Sequence, residues 1–128
     1  MKKKVLSVRE FFEKNQEAFQ LESLTDSLDG LIPITVPEIH RPGLALTGFL
    51  QNFLNERVQI LGETEILYLN TNDPDNRKRS IENIFSVPLV CIIVTRRLDP
   101  PKELLDIAKR RGVPLLRTAA PEGLAALM

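Results

Sequence analysis

Apolar positions in this chain switch between a helical and an extended period, and the switches divide it into elements. Val8, Phe11, Phe12 and Phe19 recur at helical spacing behind Ser7-Val8-Arg9-Glu10. That tetrapeptide has the form of a capping box, so residues 8–20 are predicted as an amphipathic helix. Two short apolar stretches, 21–25 and 31–36, flank Asp29-Gly30 and predict strands around a turn. Pro33 confines the second of them to an edge or a bulge. Pro37 and Pro42 bracket Glu38-Ile39-His40-Arg41 and push that polar segment away from helix. Pro42 then suits the first position of a short helix running through Leu46 and Leu50.

Residues 58–61 predict a strand and 64–69 a short helix. Asp73-Pro74 is a helix start, with Asp as N-cap and Pro in the first turn, and Ile81, Ile84 and Phe85 form the apolar face that follows. Residues 88–95 contain Leu89-Val90-Cys91-Ile92-Ile93-Val94, apolar on both faces, as a strand covered by helices on each side requires. Asp99-Pro100 repeats the helix-start signature. Leu104, Leu105, Ile107 and Ala108 carry that helix's buried face, and Gly112 stands at its C-terminal cap. With a strand at 113–116, residues 88–116 make a βαβ unit. The expected fold class is α/β. Leu124, Ala125, Leu127 and Met128 begin a further apolar helix that stops after two turns. The expectation is a domain over 1–120, with 121–128 opening a linker or helix towards a further domain of a longer protein.

Composition narrows the function. Leu, Ile, Val and Phe supply 44 of 128 residues, enough to build a core without disulfides. Seventeen basic residues balance seventeen acidic ones, so no global charge draws the chain to nucleic acid or to anionic membrane. One Cys and one His exclude an intrachain disulfide and a closed zinc site of the usual kind. No apolar run reaches the roughly 18 residues of a membrane span. Arg9, Glu10, Glu13 and Lys14 interrupt the apolar stretch that a signal peptide would need after Met1-Lys2-Lys3-Lys4. A cytoplasmic location is expected.

The candidate chemistry is sparse. Gly43-Leu44-Ala45-Leu46-Thr47-Gly48 has the glycine spacing of a phosphate-binding loop, but Phe49-Leu50 stand where Lys and Ser or Thr are required. Close packing of the short helix is the better account of these glycines. Cys91 lies among Val90, Ile92 and Ile93, which suits a buried structural thiol. The basic clusters Arg77-Lys78-Arg79, Arg96-Arg97 and Lys109-Arg110-Arg111 lack aromatic stacking partners and read as solvated surface. Glu38, His40, Arg41 and Pro42 form a polar loop that is a candidate contact site. If this loop is an interface, replacing His40 or Arg41 by Ala should alter partner affinity and leave stability nearly unchanged. No catalytic, cofactor-binding or metal-binding residue is assigned in the chain.

One segment is more specific. Val36-Pro37-Glu38-Ile39-His40-Arg41-Pro42-Gly43-Leu44-Ala45-Leu46-Thr47-Gly48-Phe49, followed by Glu56-Arg57-Val58-Gln59-Ile60-Leu61-Gly62-Glu63-Thr64-Glu65, resembles the N-terminal domain of bacterial HPr kinase/phosphorylase. The apolar strand over 87–94 and Val113-Pro114-Leu115-Leu116-Arg117-Thr118 fit that family in order. His40 stands where relatives often carry Asn or another polar residue. The resemblance implies a three-layer α/β/α sandwich around a small mixed sheet, similar to the N-terminal domain of Mur ligases. It implies a regulatory or interaction module whose partner is its own C-terminal kinase domain. That second domain would hold the P-loop and use ATP and Mg²⁺ to phosphorylate a seryl hydroxyl of HPr, in a protein of hexameric assembly that regulates carbohydrate metabolism. The alternative is a free-standing domain that binds a small ligand between residues 38–43 and the end of the 89–94 strand.

Overall fold

The computed structural model describes residues 5–121. Its elements run α1 (Val8–Phe19), β1 (Glu22–Ser23), β2 (Ile39–His40), α2 (Gly43–Leu46), β3 (Val58–Leu61), α3 (Glu63–Thr71), α4 (Pro74–Ile84), β4 (Ile92–Val94), α5 (Lys102–Arg111) and β5 (Leu115–Arg117). The five strands form one mixed sheet in the order β1-β5-β4-β3-β2. β2 to β5 are parallel neighbours, and β1 joins β5 antiparallel at the far edge.

Alternation along the strands sorts their side chains into two cores. Leu61, Ile92, Val94 and Leu115 face a core shared with Leu46 of α2, Leu69 of α3, Ile81 and Ile84 of α4 and Leu104 of α5. Val58, Ile60, Ile93 and Leu116 face the other, built with Val8, Phe11 and Phe12 of α1 and with Leu21 and Ile34. This is the three-layer α/β/α arrangement expected. The parallel β4–α5–β5 unit is present as well, with Gly112 left-handed at φ +70° where the chain leaves α5. Both helix-start devices at Ser7 and Asp73 are formed. The Glu10 amide donates to Ser7 Oγ and the Ser7 amide to Glu10 Oε1, each at 3.0 Å, and the Asn76 amide donates to Asp73 Oδ1 at 2.9 Å.

Several expectations are corrected, most of them by backbone constraints. Residues 31–36 do not pair with 21–25. β1 pairs with β5, and Ile34 makes a single antiparallel bridge to Leu6 instead. Gly30 is not a hairpin tip. A Cβ there would lie 3.1 Å from Pro114 Cδ and 3.3 Å from the Val90 carbonyl oxygen, so this glycine permits a close approach of the loop to the sheet. The predicted α2 ends at Leu46 rather than reaching Leu50, because Gly48 turns the chain at φ +100°, a left-handed geometry that terminates the helix. Pro42 is its N-cap rather than its first residue. Neither Gly43 nor Gly48 has the tight neighbours that close packing would require.

The strand predicted over 88–95 is hydrogen-bonded as a ladder only at Ile92–Val94. Pro114 has no N–H to offer, so pairing with β5 begins at Leu115, with Ile92 N–H donating to the Pro114 carbonyl. Asp99 does not cap α5. It precedes Pro100, which precedes Pro101, and each proline holds the residue before it extended. The helix therefore starts at Lys102, and Asp99 accepts instead from Arg117 Nη1 at 3.0 Å. The apolar helix start expected over 121–128 lies, after Pro121, outside the described residues.

Cys91 is fully buried, and burial pushes its thiol up to about 12. Native protein at pH 8 should therefore resist thiol reagents, reacting only as fast as it unfolds. Rapid stoichiometric labelling under native conditions would contradict the covered central strand. Val90→Asp places an unpaired carboxylate in the α1-side core and should lower unfolding free energy by more than about 3 kcal/mol, read from urea denaturation.

Candidate interaction surface

Residues 38–42, read from sequence as a polar loop, contain the edge strand β2, in register with β3 through Ile39–Val58 and His40–Gln59. The prolines at 37 and 42 limit this strand to two residues. The structure distributes the four candidates among three different partners. Glu38 is exposed and faces Arg57, with Oε2 3.6 Å from Nη2. His40 is half-buried and its ring lies 5.5 Å from that of Phe53, tilted by 38°. Arg41 Nη2 donates to both carboxylate oxygens of Glu65, at 2.9 and 3.0 Å. Pro42 caps α2.

Glu65 is the hub of this corner and was not singled out by sequence reasoning. It is almost wholly buried, and its Oε1 also accepts the Gly62 amide at 2.6 Å, closing the first turn of α3. The signal was present in the Glu-Thr-Glu run after Gly62, since a Glu three residues past a helix start reaches back to the N-cap amide. Its long-range ion pair to a residue 24 positions earlier has no sequence signature. Arg41 is therefore part of the fold as well as of the surface, which corrects the expectation that its removal leaves stability unchanged.

A cleft of about 140 Å³ runs beside β2, lined by His40, Arg41, Leu44, Ala45, Phe49 and Phe53 among others. Leu44 is a large apolar side chain left mostly in solvent, Phe49 is about half exposed, and Leu50 beside them is also exposed. Exposed apolar groups clustered at an open sheet edge mark a contact surface more than a reaction centre. Burial lowers the His40 pKa, Arg57 lowers it further, and Glu56 opposes both. The balance favours the neutral ring. Residues 43–48 offer no phosphate cradle, since α2 is only four residues long and Phe49-Leu50 replace the required Lys and hydroxyl. The lining of this cleft does not include the end of β4.

Fold and surface together define a small α/β domain with a mixed, parallel-rich sheet and an apolar, charged edge. The chain belongs to a known family: residues 6–123 match the model described as HPr Serine kinase N terminus. It is 41% identical over 120 residues to an HPr kinase/phosphorylase of Prosthecochloris aestuarii, covering 92% of this chain and 35% of that protein. To the HPr kinase/phosphorylase of Clostridium perfringens strain SM101 it is 38% identical over 106 residues, covering 83% and 34%. The chain thus spans about a third of the length of these curated relatives. Among solved structures it is similar to the CBS and DRTGG domains of the regulatory region of a Clostridium perfringens pyrophosphatase, with TM-score 0.57 and 14% identity over 89% of this chain and 43% of that one. At that identity the likeness is one of fold.

Two measurements probe this corner. Arg41→Ala leaves the Glu65 carboxylate buried with only the Gly62 amide, and should cost about 1–2 kcal/mol in chemical denaturation. For His40, the folded pKa lies below the ordinary 6.5, so the unfolded chain binds more protons between those values. Stability should therefore fall as pH drops through about 6.5, and His40→Phe should remove that part of the slope. An unchanged pH profile in the variant would contradict it.

Proposed function

We propose that this chain is the N-terminal accessory domain of an HPr serine kinase/phosphorylase, a regulatory and interaction module whose catalytic machinery lies in the remaining two-thirds of the protein. The observation that carries this reading is the extent of the match: nearly the whole chain aligns with about a third of proteins named HPr kinase/phosphorylase. On this reading the full-length protein acts in the cytoplasm, uses ATP with Mg²⁺, phosphorylates HPr and assembles as a homo-oligomer, a hexamer by family resemblance. The first partner of the present chain is then its own C-terminal kinase domain. No helix among the described residues is long and apolar enough to cross a membrane.

Phosphoryl transfer needs a phosphate cradle, a metal site and an oriented acceptor. No group of three or more His, Cys, Asp or Glu that could hold a metal is found among the described residues. The edge around Glu38, His40, Arg41 and Pro42, with exposed Leu44 and Phe49, suits contact with another protein surface.

The expected result is that the 128-residue chain neither binds MgATP in calorimetric titration nor phosphorylates HPr, whereas the chain extended through its natural downstream sequence does both. Micromolar MgATP binding by the short chain would overturn the accessory-domain reading. An inactive extended protein would count against the kinase assignment.

A further inference from the structure

We propose that a second surface, the groove at the N-terminal ends of β4 and β5, binds a small amphipathic anion: an apolar chain or ring bearing one carboxylate. The groove has a volume of about 530 Å³ and is open to solvent. Its walls are Leu31 and Ile32 on one side and Phe85, Val87, Leu89 and Val113 on the others, with Arg111 as its charged group. This volume falls in the range of sites for small organic ligands, which are mostly apolar with few convergent polar groups.

The cation is held in place. Arg111 Nη1 donates to the Phe85 carbonyl at 3.2 Å, fixing the guanidinium against the segment that forms the groove wall. Among the described residues no carboxylate pairs with Arg111, although Arg9, Arg41, Arg57, Arg77 and Arg117 each have one. The Ser86 hydroxyl, the other side-chain polar group of the lining, is already engaged with the Asn83 carbonyl at 2.7 Å. The groove therefore offers one unneutralised fork and otherwise apolar wall.

The facing wall is built and not incidental. Gly30 lets the loop press against Pro114 and the Val90 carbonyl, where any Cβ would crowd both. Asp29 is clamped to Arg9 of α1 by two bonds of 3.0 and 3.1 Å. Leu31 is left 85% exposed at the rim, a large apolar side chain with its face free for an apolar ligand.

Ligand chemistry follows by exclusion. A sugar or a polyphosphate would set polar groups against Val87, Leu89 and Val113 without partners. A hydrocarbon or an alcohol would leave the guanidinium unmatched, and a cation would be repelled by it. A carboxylate matches the planar fork, and its apolar body covers the walls.

Octanoate is the probe, followed by amide and methyl chemical shifts of the 128-residue chain, with 1-octanol and octylamine as controls. Octanoate is expected to bind with a Kd of about 1 mM or tighter, shifting Leu31, Leu89 and Val113. Octanol should bind at least about fivefold more weakly and octylamine not at all. Arg111→Gln should weaken octanoate about tenfold and leave octanol unchanged. Leu31→Asp, at an exposed position that cannot disturb the core, should weaken octanoate while the melting temperature holds. Equal affinity for octanol and octanoate, retention of octanoate binding by Arg111→Gln, or shifts confined to other faces would each overturn the proposal. Binding here is a property of this chain alone, so its outcome is independent of whether the extended protein phosphorylates HPr.

Discussion

Burial of β3, β4 and β5 on both faces is the constraint on which the rest of the structure depends. Every side chain of Val58–Leu61 and Ile92–Val94 is buried, so each strand must be apolar in both registers and must be roofed twice. Successive residues Ile92, Ile93 and Val94 alternate between the two cores. The crossover helices α2 to α5 all contribute to one core, and α1 with the loop around Ile34 covers the other. The only polar side chain inside β3, Gln59, is tolerated because its Nε2 donates to the Leu54 and Arg57 carbonyls at 2.9 Å each, fastening the preceding loop to the strand. Edge polarity at the opposite strand ends is handled similarly: Thr118 Oγ1 donates to the Phe19 carbonyl and anchors the end of α1 over the sheet.

Where this constraint acts locally, it was legible in the sequence. The six-residue apolar run around Cys91 announced a strand with two covered faces, which the ladder realises over Ile92–Val94, and Ser7 and Asp73 announced helices because capping is a contact between near neighbours. The errors have a common cause. They cluster where proline or glycine offers two local outcomes, decided in some cases by the adjacent backbone, as at Gly48, and in others by a distant contact. Asp29-Gly30 has the form of a turn, yet the need for a residue without a Cβ came from Pro114, more than eighty positions away. Asp99-Pro100 has the form of a cap, yet Pro101 delays the helix and Arg117 takes the carboxylate.

The candidate edge was legible in part for the same reason. Glu38, His40, Arg41 and Pro42 were identifiable as a polar segment fenced by prolines. Their partners were not, because Phe53, Arg57 and Glu65 are brought to them by the β2–β3 pairing and the turn into α3. Pairing converts a loop into an edge strand and gives Arg41 a structural duty. Sequence patterning shows which residues are polar and exposed. It does not show which of them the fold has already engaged, and that distinction separates a recognition group from a tether.

Strand order decides where recognition can occur. In doubly wound sheets the order reverses, and the reversal opens a crevice at the carboxyl ends of the strands that ligands occupy. Here the parallel strands run β5-β4-β3-β2 without reversal, and the crossover helices lie on one face. No switch point is created. The carboxyl end of β4 is instead closed by loop contacts, with the Thr95 amide donating to the Leu61 carbonyl and the Arg97 amide to the Thr118 carbonyl. Surfaces capable of recognition are displaced to the margins of the sheet. One lies at the β2 edge beside Leu44 and Phe49, the other at the amino ends of β4 and β5, where Gly30 and Arg111 shape the groove. A singly wound domain of this kind is suited to hold partners at its periphery, and its topology leaves both margins available at once.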